Sequence, residues 1–307
     1  MLPKIYFKSC KKVDPSLLAW EKFFKNKNIK YKTDKSFRKF SLNKSDLAIF
    51  FGSWKQHNNS FHKCRNYISK KYETFLVHET SLIGRKEVTE NYNEDWYRIG
   101  LNGFLANTGK FNNEKMPSDR WEIIKQKRDI EYLPFNFDGN YILVCLQLPG
   151  DTSLQGANIS QWLFDICSEI RKKSDLPILI RTPQLERDFD QILIRKTLLL
   201  KNISIQKGTR ENLFQSLDNA YFVCTYSSGI GIDALIRGKP VVVTSKASFV
   251  YESRTKLNDA LNFKFNTNNR LQVLSNISYC QWSLDEIELG LPWKHFLNPI
   301  FLLTFPY

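Results

Sequence analysis

Tyr221–Thr244 reads Y-F-V-C-T-Y-S-S-G-I-G-I-D-A-L-I-R-G-K-P-V-V-V-T. The apolar run Tyr221–Thr225 predicts a buried strand, Tyr226–Ser228 a turn, Gly229–Arg237 a short helix and Val241–Thr244 a second buried strand. Gly238 suits the left-handed residue that ends a helix, and Pro240 prevents its continuation. Strand–helix–strand in this order is the unit of a parallel sheet, whose ligands lie beyond the carboxyl ends of the strands. The turn is therefore where chemistry is expected. Ser227, Ser228 and Gly229 would set two hydroxyls and bare backbone at a helix start, where unpaired N–H groups favour a phosphate. Asp233, one helical turn later, is within reach of a sugar hydroxyl. A purely structural unit, its serine only capping the helix, is the other reading of the same residues.

Upstream the alternation continues. Asn140–Gln147 predicts a buried strand, Leu148–Ser153 a tight loop, and Ser160 the cap of a helix running to Lys172. Pro177–Arg181 and Asn202–Ile205 predict two more strands, with helix over Leu185–Leu199 and after a Thr209 cap. Five strands with four intervening helices describe one doubly wound domain. The first part of the chain alternates too: strands at Ile5–Phe7, Ile29–Lys32, Asp46–Phe51 and Thr74–Val77, helices at Pro15–Phe24 and Phe61–Ser69. Its carboxyl rim would carry Gly52-Ser53-Trp54 and His78-Glu79-Thr80. Between Leu82 and Arg128 the pattern dissolves into glycines, asparagines and the aromatics Trp96, Tyr97 and Trp121, which predicts a functional loop region. The expected fold is α/β, two Rossmann-like doubly wound domains facing a cleft. Their boundaries are 1–135 and 136–275, joined by a linker near Leu133–Gly139, with 276–307 as a tail packing back on the body.

The totals bound the function. A chain of 307 residues, 42% hydrophobic and 25% charged, supports two cores. The net charge of +14 favours acidic polymers or anionic surfaces, though the lysines of Lys4–Lys44 read as a solvated surface. Six scattered cysteines without a C-x-x-C pair suggest buried thiols in a reducing cytoplasm. Four histidines without metal spacing predict no zinc site. Neither a signal peptide nor a transmembrane run is expected, and contact with a membrane is expected to be peripheral, through a basic face.

The run T-Y-S-S-G-I-G-I-D-A-L-I-R-G-K-P (Thr225–Pro240) resembles the donor-binding segment of GT-B superfamily glycosyltransferases. It is especially similar to capsular and lipopolysaccharide sugar transferases, in which T-x-x-S-[SG]-x-G-x-[ED]-A-L-x-x-G-K-P recurs. Ile180-Arg181-Thr182-Pro183 resembles their R-x-H-P motif but has no histidine. The L-P-G-D-T-S-L-Q-G loop and the Gln281-Trp282…Trp293 ending look like phage and bacterial proteins grouped with those transferases. The better match covers about 140–245; the N-terminal half matches by layout.

This resemblance implies roles. Ser227, Ser228 and Gly229 would bind the diphosphate of a UDP-, GDP- or CMP-sugar, Asp233 its ribose, and Arg181 would stabilise the leaving group. No D-x-D motif stands in a strand-end loop, Asp188-Phe189-Asp190 falling inside a predicted helix, so transfer without metal or bound cofactor is favoured. The first domain would supply the base, with Glu79, His78 and then Asp151 as candidates, Glu79 pairing with Arg85 being the structural alternative. Trp96, Arg98 and Arg120 would grip the acceptor, or serve as core-edge residues. The expected activity is sugar transfer to a hydroxyl of an acidic polymer, either a modified base in phage-type DNA or a capsular or lipopolysaccharide glycan. A nucleotide-sugar 2-epimerase-like isomerase and a non-catalytic nucleic-acid-binding protein are the rival readings, although no helix-turn-helix, zinc-finger or aromatic RNA-binding signature supports the latter.

Overall fold

The computed structural model describes residues 3–6, 14–34, 46–52, 70–84, 96–183 and 189–301. Two compact units emerge. Among the described residues, unit 1 holds those up to Met116 and from Asn276 onward, and unit 2 holds Pro117–Ser275.

In chain order the elements are β1 (Pro3–Tyr6), α1 (Pro15–Asn26), β2 (Lys32–Asp34), β3 (Leu47–Phe51), β4 (Thr74–Thr80) and β5 (Trp96–Leu101). Unit 2 follows with α2 (Asp119–Lys127), β6 (Tyr141–Cys145), α3 (Ile159–Arg171), β7 (Ile178–Thr182), α4 (Gln191–Leu198) and β8 (Ile203–Lys207). It continues with α5 (Leu213–Asp218), β9 (Ala220–Thr225), α6 (Ile230–Ile236), β10 (Val241–Val243), α7 (Leu257–Leu261) and α8 (Arg270–Ser278). The chain then returns to unit 1 with β11 (Gln281–Ser283), α9 (Leu284–Glu288) and α10 (Leu291–Phe301). The expected helix at Phe61–Ser69 and residues 302–307 lie outside the described residues.

The sheet of unit 1 has the order β11-β5-β4-β3-β1-β2. β2, β1, β3 and β4 are parallel, β5 is antiparallel to β4, and β11 is antiparallel to β5. Asp14 starts α1 by accepting the Ser16 N–H at 2.9 Å, with Pro15 at the first helical position. Leu17, Trp20, Phe23 and Phe24 share one face of that helix and join Leu76, Ile99, Trp282 and Phe296 in one core. Lys4 departs from the solvated-surface reading of the early lysines. It is buried, and its ammonium meets the Asp46 carboxylate at 2.6 Å.

Two strands of this sheet correct the sequence reading. The segment treated as a loop region contains β5, in which Tyr97, Ile99 and Leu101 alternate toward the core. Gly100 disguised it by reading as a breaker; in fact a β-carbon there would overlap the Gly103 carbonyl oxygen. The segment 276–301 is an integral part of unit 1, because β11 pairs with β5 and the expected Ser283 cap closes a reciprocal box with Glu286 (2.8 and 3.2 Å).

Unit 2 is the doubly wound domain expected: five parallel strands in the order β10-β9-β6-β7-β8. The boundary lies at Pro117, not near Leu133–Gly139, because that supposed linker is bolted to the end of α6. The Leu133 and Asn136 N–H groups donate to Ile236 and Gly238 carbonyls, and the buried Lys239 ammonium donates to the Asp138 carbonyl at 2.9 Å. Gly238 takes φ +70°, and a β-carbon on it would overlap the Pro134 carbonyl oxygen.

Candidate functional site

In unit 2 the chain winds from β6 toward β7 and β8, then crosses back to place β9 on the other side of β6. The loops after β6 and β9 therefore diverge at a topological switch point, where open parallel sheets place their ligands. Register fixes what lies there. Thr225, Cys145 and Arg181 stand level across β9, β6 and β7, with Gln147 and Ser227 two residues beyond. Gln147, which sequence reasoning passed over, stitches the two loops together. Its Oε1 accepts the Ser227 N–H at 2.8 Å and its Nε2 donates to the Ser153 Oγ at 2.7 Å. The Ser227 hydroxyl in turn donates to the Ser153 carbonyl at 2.9 Å, and the Ser153 hydroxyl donates to the Asp151 carboxylate at 2.8 Å. The only advance signal was a polar residue closing an apolar strand.

This network determines the standing of the predicted donor residues. Ser227 is buried and holds the turn. Ser228 is half-buried; its Oγ accepts the Ile230 N–H at 3.3 Å, so it acts as the local cap. The Gly229 N–H has no hydrogen-bond partner among the described residues and stands at the start of α6. Asp233 is 4% exposed on α6. Arg181 is buried, and its Nη2 donates to the Thr209 carbonyl and, at 3.0 Å, to Asn212 Oδ1. Asn212 also accepts the Thr209 N–H at 2.9 Å and donates to the Lys207 carbonyl at 2.9 Å, folding the 207–212 loop around the guanidinium. Thr209 Oγ1 in turn accepts the Asn212 N–H at 3.4 Å, so Asn212 and Thr209 together shape the entry to α5. Burial pushes the Cys145 thiol up to about 12, the nearby Arg181 charge opposing that rise and the Asp233 charge adding to it. Both charges therefore lie close to the carboxyl end of β6, and Cys145 stays a neutral thiol.

Asp151 caps the short turn Thr152–Leu154, its Oδ1 accepting the Ser153 N–H and O–H, both at 2.8 Å. Asp190 caps α4 by accepting the Ile192 and Leu193 N–H groups, so the D-x-D spacing ends in a helix cap; Asp188 lies outside the described residues. Ser160, expected to cap α3, yields that position to Asn158 and instead accepts the Asp190 N–H at 3.1 Å. Among the described residues no group of three or more His, Cys, Asp and Glu is placed to hold a metal ion.

In unit 1, β4 runs through both strand-end candidates and points them to opposite faces. His78 faces α1 and is fully buried. The indole N–H of Trp20 donates to its Nε2 at 2.8 Å, and an indole can only donate. Nδ1 therefore carries the proton and donates to Ser16 Oγ at 2.8 Å, whose hydroxyl donates to Asp14 Oδ1 at 2.5 Å. Burial lowers the His78 pKa to about 3. The imidazole is neutral, with both nitrogens engaged. Glu79 is half-buried on the other face, directly across from Arg98 on β5, and Gln281 on β11 is across from Arg98 in turn. The Arg98 guanidinium lies 5.6 Å from the Phe104 ring. Gln281 Oε1 accepts the Leu82 and Ile83 N–H groups at 2.9 and 3.0 Å, fixing the loop that follows Glu79. Trp96 is buried within β5, and Arg120 is buried on α2 of unit 2, so the structure does not gather Trp96, Arg98 and Arg120 into one unit. Ser53, Trp54, His57, His62 and Arg85 lie outside the described residues.

No protein-family model and no curated protein matches the sequence. Among solved structures the chain is similar to the beta Kdo 2,7 transferase of Thermosulfurimonas dismutans KpsC. They are 15% identical over 95% of this chain and 99% of that one, with a TM-score of 0.50. The beta Kdo 2,4 transferase of the same KpsC aligns at 9% identity over 89% of each chain (TM-score 0.49). S. aureus MnaA with UDP aligns at 13% identity over 98% of each (TM-score 0.37). The first of these carries the comparison of folds. With two mostly parallel α/β units, the chain has the fold of GT-B glycosyltransferases.

Proposed function

We propose that the protein is a nucleotide-sugar-dependent glycosyltransferase, with unit 2 holding the donor and unit 1 receiving an anionic glycan acceptor. The observation that carries this reading is the stitched switch-point crevice of unit 2, set in a GT-B fold. The donor diphosphate lies against the Gly229 N–H and the Ser228 hydroxyl, while Ser227 fixes the turn through Gln147. Arg181, held by Thr209 and Asn212, acts through its fixed charge on the leaving nucleotide, and Asp233 takes the ribose hydroxyls. Glu79 is the base: it accepts the proton of the acceptor hydroxyl as that oxygen attacks the anomeric carbon and the nucleotide departs. His78, fully buried, fixes β4 to α1, and Asp151, engaged as the cap of Thr152–Leu154, shapes the donor loop. Arg98, beside Glu79, meets the acidic groups of the acceptor. The fold likeness to a Kdo transferase and the net charge of +14 both support an acidic glycan.

The test is a product assay with UDP-, GDP- and CMP-sugars, run with an anionic glycan, with duplex DNA and with neither. Nucleotide release that requires the glycan supports the proposal. Release that requires DNA would move the acceptor to nucleic acid, and an epimerised nucleotide sugar formed without any acceptor would make the protein an isomerase.

A further inference from the structure

Among the described residues, β8 is the edge strand of unit 2, paired on one side only, with α4 packed beside it. The surface there is unusual in two ways at once. The residues α4 turns away from the core include Ile192, which is 67% exposed, and Leu199, just past the helix, is 86% exposed; Ile205 on β8 is 44% exposed. Ile192, Arg195, Lys196 and Leu199 recur at helical spacing, so apolar and basic side chains form one stripe. Gln191–Lys207 contains four cations, Arg195, Lys196, Lys201 and Lys207, and no carboxylate. Two neighbouring acids are already engaged. Asp190 turns its carboxylate to the N–H groups of α4, and Asp175 faces Lys201 at 3.4 Å.

We infer that this flank of unit 2 docks on an anionic lipid surface. Exposed aliphatic side chains ringed by lysine and arginine suit the headgroup region, where the cations meet lipid phosphates and the apolar tips enter the acyl boundary. A second copy of the chain fits poorly, since a symmetric contact would bring four cations against their own equivalents. A nucleic acid would use the cations and leave Ile192, Leu199 and Ile205 without purpose. This assignment is independent of the transferase reading.

Co-sedimentation with vesicles tests it, comparing pure phosphatidylcholine with phosphatidylcholine containing about one-third phosphatidylglycerol. The full chain is expected to sediment with the anionic vesicles and to be released by salt. Ile192→Glu with Leu199→Glu, and separately Lys196→Ala with Lys201→Ala, should each weaken that binding about tenfold. All four positions are exposed, so an unchanged melting temperature certifies that the variants fold. Equal sedimentation of wild type and both double variants would overturn the inference. So would a wild-type dimer in sedimentation velocity abolished by the Ile192/Leu199 pair, or duplex-DNA binding lost in the lysine pair with no vesicle binding.

Discussion

At the scale of the residue, His78 and Glu79 are neighbours in sequence with opposite fates. Alternation on β4 drives one into the core and leaves the other at the rim. His78 gives the core a pH dependence of known sign. Its native pKa of about 3 lies below the unfolded value of about 6.5, so the unfolded chain binds the extra proton. Its contribution is complete above about pH 6.5 and is lost as the pH falls toward 3. His78→Gln keeps an acceptor for Trp20 and a donor for Ser16 but does not titrate. Urea unfolding at pH 7.5 and 5 should therefore show a smaller acid loss in that variant than in wild type. An equal loss would remove His78 as the cause. For Glu79 the expectation concerns rate: Glu79→Gln should lower transfer by about 10²–10⁴-fold and leave donor affinity as it was. A matching fall in donor affinity would refute its assignment to the acceptor side.

At the scale of the element, the α6–β10 turn is held by what it touches. Gly238→Ala should destabilise unit 2 by about 1–3 kcal/mol, since the residue needs φ +70° and its β-carbon would overlap the Pro134 carbonyl. A urea midpoint equal to wild type would show that the 133–139 segment yields. The same turn explains what the sequence made legible. Continuous apolar runs located β6, β7, β9 and β10 because a parallel sheet buries both faces of its strands. Gly238 and Pro240 marked the end of α6 through backbone chemistry alone. β5 and β11 stayed hidden for the opposite reason: their register joins Trp282 to Tyr97, a pairing that no local window contains. A cap misled where two candidates stood close together, Asn158 displacing Ser160. In the candidate site, residue type singled out Ser227 and Arg181, but the partners that fix their orientation, Gln147 and Asn212, are polar side chains with no motif of their own.

At the scale of the whole molecule, two mostly parallel α/β units with a topological switch point in the second define the fold, and the net charge of +14 favours acidic partners by long-range attraction. Donor binding at that switch point is the central claim. Gln147→Glu isolates it, because the new carboxylate still accepts the Ser227 N–H while placing a negative charge beside the turn proposed for the diphosphate. The direct measurement is calorimetric titration of wild type and Gln147→Glu with UDP, GDP and CMP and their sugars. Saturable binding of one of these nucleotides to wild type, weakened about tenfold or more in a variant that melts normally, is the predicted result. Binding of none of them to wild type, or equal binding to both proteins, would contradict the account.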